Sequence, residues 1–137
     1  MNTVVVVVSA MAGETDRLIE LSKLFGDNPN KREFDALIST GEKVSASLLA
    51  MALNSLGLKA KSYSAAQVSL KTTSNFSKAK ILDIDKAKME EILADGSIPI
   101  ITGFQGITET GEVTTLGRGG SDTTAVAIAA SVSYTHL

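Results

Sequence analysis

The chain has 137 residues, of which 44% are hydrophobic and 20% are charged, and this size and composition are typical of one globular domain. With 13 Lys and Arg against 15 Asp and Glu, the net charge is −2, so the charge pattern predicts no nucleic acid partner. Cysteine is absent and the one histidine is His136, which excludes disulfides, thiol catalysis and sites built on several histidines.

The first half of the chain predicts one strand followed by helices. Five consecutive valines at 4–8 favour a strand that is covered on both faces. This run is far shorter than the roughly 20 residues of a membrane helix and lacks the basic leader of a signal peptide, so we expect a cytoplasmic chain with no membrane partner. Helical spacing starts at Glu14 and stops at the turn residues 26–30. A second helical region covers residues 31–56, with an interruption at 39–41.

The second half alternates predicted strands and helices. The predicted elements are strands at 60–63, 80–84 and 98–102, a helix at 85–94 capped by Asp85, a hairpin at 106–113 and a helix at 123–130. The polar segment 64–78 is expected to be irregular or to form short strands, and Lys71, Lys78 and Lys80 are expected to form a solvated face. This order predicts an α/β fold with an open, mainly parallel sheet and helices on both faces, which binds ligands at the carboxyl ends of its strands.

A glycine-rich segment at 117–122, GRGGSD, leads into the last predicted helix. Its glycines allow close backbone approach and positive φ, and the backbone N–H groups at a helix start attract anions. Arg118 adds a planar guanidinium that binds carboxylate or phosphate in bidentate fashion. We therefore favour an anion-binding loop over the alternative, in which Ser121 or Asp122 only caps the helix.

Two other loops carry weaker signals. In the segment STGE at 39–42, Gly41 permits a break and Glu42 starts a helix, where stabilisation by the helix dipole is by itself the better explanation. The loop SAMAGET at 9–15 follows the valine strand, and its Ser9 and Thr15 hydroxyls either contact a ligand or cap the next helix. No GK[ST] sequence follows this loop, so a P-loop nucleotide site is not predicted.

Together these segments resemble the aspartokinases of the amino-acid kinase superfamily. The resemblance is carried by VVVVVSAMAGETDRLIEL, ISTGEKVSASLLAMAL, KAKILDID and ITGFQGITETGEVTTLGRGGSDTTAVAIAA, in the family's order and spacing. It implies an αβα sandwich and an enzyme that uses ATP and Mg²⁺ to phosphorylate the side-chain carboxylate of L-aspartate. The product would be 4-phospho-L-aspartate, at the first step toward lysine, threonine and methionine.

The resemblance also implies roles for single residues. Glu42 would bind the α-amino group of aspartate, and Arg118 would hold its α-carboxylate. The remaining residues of the implied substrate pocket are Thr15, Gly119, Gly120 and Ser121. Ser9 would lie near the nucleotide phosphates. Asp122 would organise a catalytic lysine and the active-site charges, so Asp122 and Arg118 are the implied catalytic residues.

The resemblance covers the middle of the family's catalytic domain. Aspartokinases begin with a strand and a Lys-(Phe/Tyr)-Gly-Gly-Thr/Ser-Ser loop that carries the catalytic lysine, and this sequence contains no such loop. The family's Tyr-(Thr/Ser)-Asp-Val-Asp-Gly nucleotide segment and its regulatory ACT domains do not occur either. We therefore expect residues 1–132 to be a partial amino-acid kinase domain and 133–137 a tail outside the family. We expect this polypeptide alone to have little kinase activity, and the intact family member to be a homo-oligomer.

Two alternatives stay open. The first is another enzyme of the superfamily, such as an acetylglutamate or uridylate kinase, because acetylglutamate kinases have a glycine-rich region similar to GRGGSD. The segments SAMAGETD and STGE resemble aspartokinases more closely. The second alternative is a non-catalytic binding or dimerisation fragment.

Overall fold

The structure is a computed structural model that describes residues 4–133, with side chains through Val132. Residues 134–137 of the predicted tail lie outside the described residues. In chain order the elements are β1 (Val6–Val8), α1 (Glu14–Ser22), α2 (Lys31–Ile38), α3 (Thr40–Ser55), β2 (Ala60–Tyr63), β3 (Leu70–Thr72), β4 (Ile81–Ile84), α4 (Lys86–Ala94), β5 (Ile98–Thr102), β6 (Gln105–Ile107), β7 (Val113–Thr115) and α5 (Gly120–Ser133).

A three-stranded parallel sheet, ordered β1-β5-β2, forms the centre of the fold. Ile100 of β5 is in register with Val6 of β1 and with Ser62 of β2. Successive side chains of a strand point to opposite faces, so Ile100 joins an apolar cluster with α3 and Ile101 joins one with α4 and α5. Both isoleucines are completely buried. This arrangement confirms the predicted α/β fold with helices on both faces of a parallel sheet.

A second sheet of four strands, ordered β4-β3-β6-β7, lies beside the first. Its β3–β4 and β6–β7 pairs are antiparallel, and its β3–β6 pair is parallel. The β6–β7 pair is the predicted hairpin, and β3 lies in the segment predicted to be irregular or to form short strands. The separation into two sheets was not predicted, because it depends on pairing between distant segments.

Helix ends follow the local signals of the sequence. The Asp85 side chain accepts a hydrogen bond of 3.0 Å from the backbone N–H of Lys88 at the start of α4, as predicted. At the end of α3, Gly57 has φ +87°, a left-handed conformation that favours glycine. The predicted interruption at 39–41 is confirmed, since α2 ends at Ile38 and α3 begins at Thr40.

The helical run Lys31–Ser55, which α2 and α3 form together, is long and apolar enough to cross a membrane by length and composition alone. A core helix passes the same test, so this is weak evidence for a membrane span. Within this run, Ala46 and Ala50 are buried against the parallel sheet, and the acidic residues Asp35 and Glu42 are buried as well.

Candidate functional site

An open cleft of about 410 Å³ lies where β1 and β5 end and where α1, α3 and α5 begin. Its lining residues are Ser9, Ala10, Thr15, Glu42, Phe104, Gly117, Arg118, Gly119, Gly120, Ser121 and Asp122. The loops after the two strands are joined directly, because the N–H of Gly103 donates to the carbonyl of Val8 at 2.9 Å. The cleft has the volume of a small-molecule site and lies at the strand ends where α/β folds bind ligands.

The glycine-rich segment forms the turn into α5. Gly117 and Gly119 have φ +83° and +72°, which an L side chain rarely adopts. The N–H of Gly120 donates to the carbonyl of Gly117, and the N–H of Thr123 donates to that of Gly119, each at 3.1 Å. The segment therefore turns tightly and places the first turn of α5 at the cleft.

The start of α5 lies directly against the end of β5. A Cβ atom on Gly103 would lie 2.7 Å from Oγ and 3.0 Å from Cα of Ser121, so only glycine permits this approach. Phe104, the next residue, has φ +73°, and its carbonyl accepts a hydrogen bond of 2.8 Å from the N–H of Leu116. The positive φ of an aromatic residue is unusual and places the Phe104 ring at the cleft wall, beside Gly120.

Glu42 is the most unusual group in the cleft. Its side chain lies in the first turn of α3 and is only 2% exposed, and its Oε2 atom has no hydrogen-bond partner among the described residues. Burial raises the pKa of Glu42 from 4.5 to about 7, although the backbone N–H groups of Glu42 and Ala10 act in the opposite direction. An unpartnered buried carboxylate oxygen is costly, and a cationic ligand group would satisfy it.

Neighbouring contacts fix Glu42 in this position. The preceding Gly41 packs against the loop after β1, where an added Cβ would lie 2.9 Å from that of Ala10. The side-chain amide of Gln105, at the start of β6, donates to the carbonyl of Ser39 at 2.8 Å. The junction between α2 and α3 is therefore tied both to the β1 loop and to the second sheet.

Arg118 and Asp122 are the exposed charged groups of the cleft. Each lies in or beside the turn into α5, and neither has a salt-bridge partner among the described residues. Arg118 is also the one cationic side chain among the described residues that line the cleft. It is available to bind an anionic group next to the N-terminus of α5.

All eight residues predicted for the site line this one cleft: Ser9, Thr15, Glu42, Arg118, Gly119, Gly120, Ser121 and Asp122. Their roles toward a substrate stay predictions. The structure adds Ala10 and Gly117, which lie in the loops at 9–15 and 117–122, and Phe104, which follows β5 and was not predicted as a site residue. Lys71, Lys78 and Lys80 lie outside the cleft and are exposed, as expected for a solvated face.

Comparison with known proteins identifies the family of the chain. The sequence model of the "Amino acid kinase family" matches residues 1–137. The chain is 53% identical to an aspartokinase of Geobacillus stearothermophilus over 131 residues, which is 96% of this chain and 32% of that relative. It is 45% identical to the aspartate kinase of Synechocystis, whose crystal structure matches with a TM-score of 0.75 over 94% of this chain and 21% of that chain.

A third comparison concerns the fold alone. The crystal structure of E. coli aspartokinase III in complex with aspartate and ADP has a TM-score of 0.75 at 23% identity, over 93% of this chain and 40% of that chain. The chain thus spans about a third of the length of the curated relatives it matches. Because the family match extends over all 137 residues, this chain belongs to the amino acid kinase family.

Proposed function

We propose that the cleft is the amino-acid site of an aspartate kinase, which transfers the γ-phosphate of ATP to the side-chain carboxylate of L-aspartate. The observation that carries the proposal is the buried Glu42 carboxylate, whose Oε2 lacks a partner, in the same cleft as Arg118. An α-amino acid presents an ammonium and a carboxylate group, which match these two charges. The similarity to aspartokinases makes aspartate the preferred amino acid.

In this proposal, Glu42 accepts hydrogen bonds from the α-ammonium group and Arg118 donates to the α-carboxylate. The pocket around the bound aspartate is completed by Thr15, Gly119, Gly120 and Ser121. Glu42 and Arg118 hold the amino-acid end, so the side-chain carboxylate is left free to face the phosphate donor. Positioning of this kind lowers the barrier by holding the reacting atoms in contact.

The reaction needs no general base, because the acceptor carboxylate is already ionised near pH 7. One of its oxygens forms a bond to the γ-phosphorus as the bond to the β,γ-bridging oxygen breaks, which yields 4-phospho-L-aspartate and ADP. Ser9 lies on the cleft wall and would bind phosphate oxygens. The bound complex of E. coli aspartokinase III, with aspartate and ADP, supports this pairing of ligands.

The cleft fits Mg²⁺ only as an ion that arrives with the nucleotide. The described residues contain no group of three or more His, Cys, Asp and Glu side chains that could hold a metal. Mg²⁺ often binds through phosphates and one or two carboxylates, and the exposed Asp122 carboxylate suits that role. When bound, Mg²⁺ would neutralise phosphate charge.

We expect the 137-residue polypeptide itself to have little or no kinase activity. Phosphoryl transfer develops charge over several oxygens, and Arg118 is the one cation among the described residues of the cleft. Coupled measurement of ADP release with aspartate and MgATP tests this expectation. Turnover close to that of a full-length aspartokinase would contradict it.

Binding of L-aspartate, measured by isothermal titration calorimetry, tests the proposed site directly. A hydrogen bond to a charged group contributes about 1.5–3 kcal/mol, so Glu42→Gln should weaken binding about tenfold or more. Glu90→Gln makes the same chemical change at an exposed position of α4 and should leave the affinity unchanged. The proposal fails if the folded wild-type chain has no affinity for aspartate, or if Glu42→Gln binds it equally well.

N-acetyl-L-glutamate separates this proposal from an acetylglutamate kinase. Its nitrogen is part of a neutral amide and offers no positive charge to the Glu42 carboxylate. We therefore expect L-aspartate to bind more tightly than N-acetyl-L-glutamate in the same titration. The opposite order of affinities would favour the acetylglutamate kinase.

The remaining parts of the proposal follow from the similarity to aspartokinases. The intact enzyme is proposed to act in the cytoplasm, as a homo-oligomer, at the first step toward lysine, threonine and methionine. Light scattering of the intact enzyme tests its assembly. A monomeric mass over the whole concentration range would contradict a homo-oligomer.

A further inference from the structure

A second buried carboxylate, Asp35 in α2, lies outside the cleft and is completely buried. Its Oδ2 accepts the backbone N–H groups of Ser77 and Thr115, each at 2.8 Å. Its Oδ1 accepts the hydroxyl groups of the same two residues, each at 3.0 Å. Four donors therefore surround the carboxylate, which satisfies it in the absence of a cation.

Asp35 is linked to Glu42 through the junction between α2 and α3. Its own carbonyl accepts a hydrogen bond of 3.1 Å from the N–H of Ser39, the residue between the two helices. The carbonyl of Ser39 in turn accepts the side-chain amide of Gln105 at 2.8 Å. The Ser39 bond is an ordinary backbone bond at the end of α2, so the Asp35 carboxylate acts on α3, which carries Glu42 in its first turn, by anchoring this last turn of α2.

Asp35 is linked to Arg118 through the end of β7. Thr115 is the last residue of that strand and lies three residues before Arg118. The intervening Leu116 is fixed by its 2.8 Å hydrogen bond to the carbonyl of Phe104. The chain then turns at Gly117 into the cleft. Any movement of Asp35 relative to Thr115 would therefore change the distance between the turn that carries Arg118 and the start of α3.

We propose that Asp35 is a positioning residue that sets the separation of Glu42 and Arg118, an inference that rests on the proposed function. The α-ammonium and α-carboxylate of an amino acid are attached to the same carbon atom. The contacts with Glu42 and Arg118 therefore form together only when these two side chains are the right distance apart. A ligand that has a carboxylate and no ammonium uses Arg118 alone and is insensitive to this spacing. Succinate is such a ligand and otherwise resembles aspartate.

The test compares the dissociation constants of succinate and L-aspartate in NMR titrations of the ¹⁵N-labelled chain, which also show whether each variant is folded. In the wild-type chain succinate should bind about tenfold or more weakly, because it lacks the contact with Glu42. In Asp35→Asn, the amide keeps the four contacts only if both hydroxyls reverse and accept from its NH₂ group, and the stronger, charge-assisted bonds of the carboxylate are lost. The dissociation constant of succinate divided by that of L-aspartate should then fall about threefold or more, mainly because aspartate binds more weakly.

A matched pair of variants keeps the test decisive if Asp35→Asn does not fold. Thr115→Val and Ser77→Ala each remove one hydroxyl that bonds to Oδ1 at 3.0 Å. Thr115 precedes the Arg118 turn in the chain, whereas Ser77 lies beside Gly117 through its backbone carbonyl, which Ser77→Ala keeps. Thr115→Val should lower the ratio, and Ser77→Ala should leave it close to the wild-type value.

Two results would overturn the positioning role. One is an equal loss of affinity for both ligands, which indicates that Asp35 supports only the fold. The other is an unchanged ratio in both Asp35→Asn and Thr115→Val. A folded wild-type chain that binds no aspartate instead refutes the proposed function, and the positioning role with it.

Discussion

Replacing Glu42 with glutamine should make the folded chain more stable at pH 8, although it removes the proposed contact with the substrate. The wild-type carboxylate is charged at that pH, is only 2% exposed, and has an oxygen without a partner. Glutamine has nearly the same shape and carries no charge. The substitution therefore removes the cost of holding a buried charge.

The magnitude follows from the raised pKa. The pKa of Glu42 is about 7 in the folded chain against an ordinary value of 4.5. Each pKa unit corresponds to about 1.4 kcal/mol, so the full shift corresponds to about 3 kcal/mol, an upper value because the cleft is open to water. The folded state favours the protonated form, so the contribution of Glu42 to the free energy of unfolding is largest below pH 4.5. This contribution decreases as the pH rises from 4.5 to about 7, and it stays constant at higher pH.

Urea unfolding between pH 4 and pH 8 measures this effect. The free energy of unfolding of Glu42→Gln should exceed that of the wild type by about 1–3 kcal/mol at pH 8, and the difference should approach zero near pH 4. Glu90→Gln, at an exposed position of α4, is the control for the change of net charge. A Glu42→Gln chain that is less stable than the wild type at pH 8, or a difference that does not vary with pH, would refute the reasoning.

Three further predictions address binding and packing. Aspartate binding should weaken as the pH falls below 7, by about the factor that Glu42→Gln loses, because the ammonium group pairs with ionised Glu42 and binding then releases a proton. Calorimetry in buffers of different ionisation enthalpy measures this release. Gly103→Ala should lower the free energy of unfolding by about 1–3 kcal/mol and weaken aspartate binding, because the added Cβ would lie 2.7 Å from Oγ of Ser121. Urea unfolding and calorimetric titration measure the two effects. An unchanged affinity would show that the start of α5 can move away from the added methyl group without loss of binding. Ile100→Ala should cost about 2–5 kcal/mol in urea unfolding, whereas Leu82→Ala, at a side chain that is 66% exposed, should change stability by less than about 0.5 kcal/mol.

The elements of the fold could be predicted from local signals because each one is determined by nearby residues. The valine run predicts a strand with both faces covered, and β1 has its side chains packed against clusters on both faces of the sheet. Asp85 marks the start of α4 through its bond to the N–H of Lys88. The loops at 9–15, 39–42 and 117–122 meet at one cleft, where they lead into the starts of α1, α3 and α5.

Features that depend on distant contacts could not be predicted. The pairing of β3 with β6, which helps form the second sheet, joins segments more than 30 residues apart. The positive φ of Phe104 has no signal in its residue type. Asp35 is not among the predicted site residues, although its spacing three residues before the buried Ile38 and seven before Glu42 places it on the inner face of the helical run.

The contrast between Asp35 and Glu42 separates a structural carboxylate from a functional one. Both are acidic, both are almost completely buried, and both lie on the same helical run. Asp35 accepts four hydrogen bonds from protein donors and needs no further partner. Glu42 has an unpartnered oxygen at a cleft, where folding alone would favour a neutral side chain. Burial of an acid therefore does not by itself indicate a binding site. The indication is a buried acid beside an open cleft whose carboxylate lacks a hydrogen-bond partner, which a ligand ammonium group would supply.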